Sequence, residues 1–184
     1  MSRVSVGGAI DLHIHTHPCL FPRIGDDRDI VTAAAAAGMC GVMLKCHHES
    51  SVSRAYLVNA EFPDIDVFGG IVLNSYVGGI NPAAVEAALR LGGKAVWMPT
   101  IDSANHASTF GTTGGYGVQS GGREASQGIA ILEDGRLRPE VHEVLSLVAQ
   151  YDVILGTSHL FPEEILALAH AANKAGIRKL LINH

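Results

Sequence analysis

The sequence predicts an α/β fold in which a parallel sheet carries helices on its outer side. Three observations predict it. Strand-like and helix-like segments alternate along all 184 residues, with glycine or proline at most of the joins, which is the rhythm of repeated βα units. Hydrophobic residues make up 47 % of the chain and charged residues only 17 %, a composition that suits a buried α/β core better than disorder or a nucleic-acid-binding surface. Polar, chemistry-bearing side chains recur at the ends of the strand segments, the side of such a sheet on which ligands bind.

Taken in order, strand one covers about Ala9 to His17. Period-two alternation places Ile10, Leu12 and Ile14 on one face and Asp11, His13, His15 and His17 on the other. An alanine-rich helix, Arg28 to Ala37, stops at Gly38, as helices do at a C-terminal glycine. Strand two runs from Gly41 to His47, and helix two from Ser51 to Glu61, ahead of Pro63. Strand three spans Asp66 to Asn74. Helix three opens at Asn81-Pro82, a capping residue followed by proline at the first helical position, and stops at Gly92-Gly93. Strand four is Lys94 to Thr100.

The rhythm then breaks. Ile101 to Gln127 is polar, glycine-rich and far longer than an ordinary connection; loops of that size are usually functional or disordered, and this one is expected to act as a lid. Asp134-Gly135, between two strand-like runs, predicts a tight hairpin, so that 101–138 forms a loop-and-hairpin insertion. A helix from Pro139 to Gln150, strand five (Asp152 to Ser158), a helix from Pro162 to Ala175 and strand six (Arg178 to Asn183) complete a single domain over 1–184.

Several functions are excluded. A net charge of −5 with no basic run argues against nucleic acid as a partner. The N-terminus has no apolar signal core and no run of about 18 apolar residues exists, so the chain is expected to be cytoplasmic with no membrane partner. Cys19, Cys40 and Cys46 match neither a disulfide framework nor a metal knuckle and read as reduced thiols. No Gly-x-Ser-x-Gly, phosphate loop or dinucleotide fingerprint is present.

The chemistry collects at strand ends: His13, His15 and His17 on strand one, Lys45, His47 and His48 on strand two, Asn74 on strand three, Asp102 after strand four, His159 after strand five and His184 after strand six. A strand that is apolar on one face and imidazole-rich on the other is poor packing material, unless that polar face simply meets water, but it can aim two neutral imidazoles at one metal ion. His13, His15 and His159 are the candidate ligands, with His184 a further ligand or proton carrier. Lys45 follows an apolar run where a free amine is costly to bury. It can snorkel to the surface, bind an anionic substrate, or become a carbamate that bridges two metals; it is paired with His184 as a catalytic candidate. His47, Asn74 and Asp102 are the candidate substrate-binding residues. His48 is expected to face solvent or cap a loop, Cys46 to pack, and His106, His142 and His170 to be ordinary.

Asp11-Leu-His-Ile-His15, His159 and His184, in that order on their strands, resemble the amidohydrolase superfamily of metal-dependent (β/α)-barrel hydrolases. The resemblance implies a TIM-like (β/α) barrel and a divalent metal, zinc before manganese or iron, held by His13, His15 and His159, with His184 as ligand or acid–base partner. The same strand, followed by Ala37 to His48, is also similar to the PHP family (polymerase and histidinol phosphatase), although Lys45-Cys46-His47 stands where that family has Thr-Asp-His. Lys-Cys-His-His (45–48) and Trp-Met-Pro-Thr (97–100) resemble an uncharacterised amidohydrolase-like group. Trp97 to Thr100 occupies the strand on which binuclear members carry a bridging lysine or glutamate, which favours one metal unless Lys45 bridges.

A complete barrel of eight strands takes about 250 residues, so six strands imply an incomplete barrel without the late-strand aspartate. Its exposed edges are expected to pair with another copy of the chain. The function expected is metal-assisted hydrolysis of an amide, lactone or ester-like bond in a small molecule. The alternatives are a phosphoesterase, a mononuclear-metal decarboxylase or an inactive metal-binding fragment.

Overall fold

All six strand segments form in the computed structural model, which describes residues 5–115 and 127–184. The elements in chain order are β1 (Ile10–Ile14), α1 (Asp27–Ala36), β2 (Gly41–Leu44), α2 (Val52–Glu61), β3 (Asp66–Phe68), β4 (Gly70–Val72), a 3₁₀ turn at Ser75–Val77 and α3 (Pro82–Arg90). They continue with β5 (Ala95–Trp97), α4 (Ala104–Phe110), β6 (Leu132–Glu133), β7 (Arg136–Leu137), α5 (Pro139–Tyr151), β8 (Ile154–Gly156), α6 (Pro162–Lys174) and β9 (Leu180–Leu181).

The predicted third strand is divided at Gly69: β3 completes a parallel sheet β1-β2-β3, and β4 begins a parallel sheet β4-β5-β8-β9. Buried Ser51 stitches the seam. Its hydroxyl bonds to Leu44 O at 2.6 Å and takes the Gly70 N–H at 3.0 Å. Among the described residues β1 and β9 do not pair with each other, so the curved sheet is not closed into a barrel. The hairpin β6–β7 turns at Asp134-Gly135, as predicted. Buried Glu164 in α6 holds it, accepting the Ile131 N–H at 2.7 Å.

Strand one departs from simple alternation. Asp11 pairs with Val42 and Ile14 with Leu44, three steps against two, which is a β-bulge. The Asp11 carboxylate accepts the His13 N–H at 2.8 Å within it. The bulge re-aims the chain. Ile10 and Leu12 line a cavity with Met43 and Phe68, whereas Ile14 packs with Val42 and Leu44 against the outer helices. The expectation that Ile10, Leu12 and Ile14 share a face is therefore corrected.

The long insertion is also more ordered than expected over its first part. Ser103 caps α4 by accepting the His106 N–H at 3.0 Å; the lid expected of this insertion involves residues 116–126, which lie outside the described residues. None of the described helices is long and apolar enough to cross a membrane.

Two apolar layers lie between the sheet and its helices, one on α1 and α2 and a larger one on α3, α5 and α6. A third cluster of Met43, Val72, Ala95 and Trp97 fills the concave side. Trp97 fits there because Gly156, its register partner on β8, and Gly70, diagonal to it on β4, carry no side chain. A Cβ at Gly156 would sit 2.3 Å from the indole Cδ1, and one at Gly70 would sit 2.7 Å from Cζ3 and 2.3 Å from Ala95 O. Gly156→Ala is expected to lower unfolding free energy by about 1–3 kcal/mol through overpacking, measured by urea denaturation. Trp97→Phe in the same chain should recover part of that loss, and an unchanged midpoint in Gly156→Ala would contradict this packing.

Candidate functional site

The site lies at the C-terminal ends of the strands, on the concave side above Trp97. Beyond the bulge, His13 and His15 both turn inward, and their Nε2 atoms lie 3.1 Å apart. Burial lowers the basicity of both rings, His13 to about 4 and His15 to about 3, with the charges of Lys45 and Arg23 adding to the effect. Both rings are thus neutral near pH 7 and carry lone pairs. Two nitrogens bound to one ion at about 2.0–2.1 Å stand roughly 3.0–3.4 Å apart, and this pair meets that spacing. The His15 Nδ1 is buried without a hydrogen-bond partner.

Lys45 lies beside them. It is 2 % exposed, so snorkelling to the surface, one of the roles expected of it, is ruled out. Its Nζ sits 3.4 Å from His13 Nε2, 3.5 Å from His184 Nε2 and 5.2 Å from the Trp97 ring. Burial pulls the amine down to about 7. His184 follows β9, yet its ring lies 4.9 Å from that of His13 and 4.6 Å from that of His159. The two edges of the open sheet therefore bring side chains together at this rim.

His47 stacks on His15 at 4.4 Å, and its Nδ1 is 2.9 Å from Thr100 Oγ1; burial drives its basicity far down. Asn74, expected to orient a substrate, is fully committed elsewhere. Its amide donates to His47 O (3.0 Å) and Thr100 Oγ1 (2.8 Å) and accepts the Thr100 N–H (2.8 Å). Completely buried, it ties three strand ends together and has nothing left for a ligand. Asp102 accepts from the Ser75 N–H and hydroxyl through Oδ2, whereas Oδ1 is buried without a partner.

His48 does not face solvent as expected: it packs against Phe21, His47 and Tyr76, with both ring nitrogens buried and unpartnered. His17 is drawn away to its own loop, where Nε2 lies 3.1 Å from both Arg23 N and Arg23 O. Burial raises the Cys46 thiol, in keeping with packing. Arg54 anchors the loop after β1, reaching Thr16 Oγ1, His17 O and the buried Asp27 carboxylate within 2.7–2.8 Å.

His159 adjoins His184 and also meets a residue that looked ordinary in sequence: its Nδ1 lies 3.2 Å from Nδ1 of buried His106. Burial lowers His159 to about 3. The Ser158 backbone just before it is left-handed (φ 55°), a conformation that costs about 1–2 kcal/mol outside glycine. Arg23 was missed as well. Its guanidinium lies 5.4 Å over Phe21, and its Nη2 is buried without a partner. Its only sequence signal is a lone arginine in the loop after strand one.

Among the described residues no three His, Cys, Asp or Glu side chains form a ready group for a metal ion. The arrangement is a neutral pair, His13 and His15, with Lys45 and His184 linked to it in a chain of nitrogens at 3.4 and 3.5 Å. The pair fits a divalent cation by donor type, protonation and spacing.

Comparison with known proteins places the chain. Residues 8–184 match the model of the family of unknown function DUF6282. The chain belongs to that family. No curated protein matches it. Among solved structures it is similar to an amidohydrolase from Pseudomonas aeruginosa, with a TM-score of 0.54 and 10 % identity over 90 % of this chain and 50 % of that one. It is also similar to a candidate deoxyribose-phosphate aldolase from Coccidioides immitis, with a TM-score of 0.50 and 14 % identity over 96 % of this chain and 59 % of that one. The DUF6282 chain thus spans about half the length of these proteins, and the likeness supports the amidohydrolase-like α/β fold.

The rim rings bind protons less readily in the folded chain than in the unfolded one. Their contribution is complete above the ordinary histidine value of 6.5 and is lost as pH falls toward about 4 for His13 and about 3 for His15 and His159. Metal-stripped protein should therefore melt at a lower temperature at about pH 5 than at pH 7, above the range where ordinary carboxylates titrate. A flat melting temperature across that interval, read by calorimetry, would contradict neutral packing of these rings.

Proposed function

We propose that this DUF6282 chain is a metal-dependent hydrolase of the amidohydrolase type, cleaving an amide, lactone or ester-like bond of a small molecule. The observation that carries this reading is the pair of neutral imidazole nitrogens, His13 Nε2 and His15 Nε2, 3.1 Å apart at the concave strand ends. His13 and His15 would hold a divalent ion, zinc by preference for nitrogen donors, with His184, and His159 beside it, as further imidazoles on the rim. Bound there, such an ion supplies a water acidified toward a pKa of about 7 and a polarised carbonyl.

The chain's own groups do the rest. Lys45 Nζ, between His13 and His184, is placed to hold a proton at the reacting end of the site. Exposed His184 can pass that proton to solvent. His47, stacked on His15 and tied to Thr100, keeps the ligand ring in orientation. Trp97 closes the floor and excludes water from below. Asp102 Oδ1, Arg23 Nη2 and the two His48 ring nitrogens are among the buried polar atoms left without a partner for a substrate to meet.

Untagged protein, assayed for metal and against lactone, amide and aryl phosphate substrates, tests this. The expected result is about one ion per chain and lactone or amide hydrolysis that falls at least about 100-fold in His13→Asn or His15→Asn, the scale of losing an activated water. Folded protein that takes up no ion, or activity untouched by both substitutions, would overturn the proposal. Cleavage confined to aryl phosphate, or release of carbon dioxide, would replace it with a phosphoesterase or a decarboxylase.

A further inference from the structure

We infer that His106 is a positioning residue that fixes the ring tautomer of His159, leaving Nε2 of His159 as its bare nitrogen. Hydrogen-bond accounting carries the inference. The Gly115 carbonyl, 2.7 Å from His106 Nε2, can only accept, so that nitrogen carries the hydrogen. His106 is 2 % exposed, and an imidazolium buried that far is costly. The neutral ring has one N–H, so its Nδ1 is a lone pair. His159 Nδ1 lies 3.2 Å from that lone pair and must be the donor. His159 Nε2 is then left without a hydrogen, the reverse of the tautomer that free histidine favours.

The surroundings are built for the same end. The Ser103 hydroxyl that caps α4 also donates to His159 O at 2.7 Å, and Asn105 Nδ2 donates to Leu160 O at 3.2 Å. One turn of helix thus grips the backbone of residues 159 and 160 while His106 grips the ring. The His106 and His159 rings are nearly parallel, centroids 5.4 Å apart and edge to edge through their Nδ1 atoms, and line, with Ser158, Leu160, Phe110 and His184, a cavity of about 340 Å³. A neutral ring held through Nδ1–H presents Nε2 to a cation or a proton, the arrangement by which a second residue orients a working histidine. What Nε2 then does rests on the hydrolase reading; the tautomer does not.

The test is nitrogen-15 spectroscopy of the full chain labelled at histidine, which distinguishes protonated from bare ring nitrogens. Wild-type His159 should show Nδ1 protonated and Nε2 bare. His106→Phe should invert that population, and His106→Asn, whose Oδ1 can accept from Nδ1–H, should restore it. A wild-type His159 with hydrogen on Nε2 overturns the inference, as does a wild-type pattern persisting in His106→Phe. If the Phe variant fails to fold, the wild-type spectrum decides alone. Adding zinc to the same samples separates the two claims: an unmoved His159 Nε2 signal would remove this ring from the metal reading while leaving the tautomer intact.

Discussion

The rim of this protein depends on a desolvation constraint, because several imidazoles share a small volume that tolerates little charge. If His13 and His15 were both protonated, their nitrogens at 3.1 Å would repel by about 5 kcal/mol even at an effective dielectric near 20. Burial works in the same direction, and Lys45 adds positive charge beside them. The outcome is a cluster of lone pairs facing one another with too few hydrogens to satisfy them. A cation or a shared proton would stabilise such a cluster, and this is the ground on which a metal is proposed for it.

Steric fit beneath that cluster decides where the rings can be. Trp97 occupies the concave floor only because Gly70 and Gly156 leave its indole room on both sides. Lys45 lies over that indole, and Asn74 binds the ends of the neighbouring strands so that His47 stacks on His15. The β-bulge at Leu12–His13 is the remaining device. It lets β1 present Ile10 and Leu12 to the open cavity at the lower end of the sheet and imidazoles to the rim from the same face, which strict alternation would forbid.

The order of βα units and the gathering of histidines at strand ends were legible in the sequence, because hydrophobic runs bounded by glycine and proline mark strands and topology sends their ends to one side. The hairpin was legible from Asp134-Gly135 alone. Other features depend on contacts that no local pattern encodes. The bulge is held by an Asp11 side-chain bond, and α4 hides in a polar, glycine-rich stretch between the caps Ser103 and Gly111. His106 gained a role only once the chain brought it to a residue 53 positions away. Asn74 misled for the opposite reason: a polar residue at a strand end looks like a ligand until its hydrogen bonds are counted.

The fold is similar to that of an amidohydrolase from Pseudomonas aeruginosa, of which this DUF6282 chain covers half the length. The central claim is narrower than fold and concerns two nitrogens. A crystal of zinc-soaked protein, with anomalous scattering recorded on both sides of the zinc edge, addresses it directly. The account requires a peak between His13 Nε2 and His15 Nε2, about 2.0–2.1 Å from each. A map with no peak there, or with zinc seated only elsewhere on the chain, would contradict it.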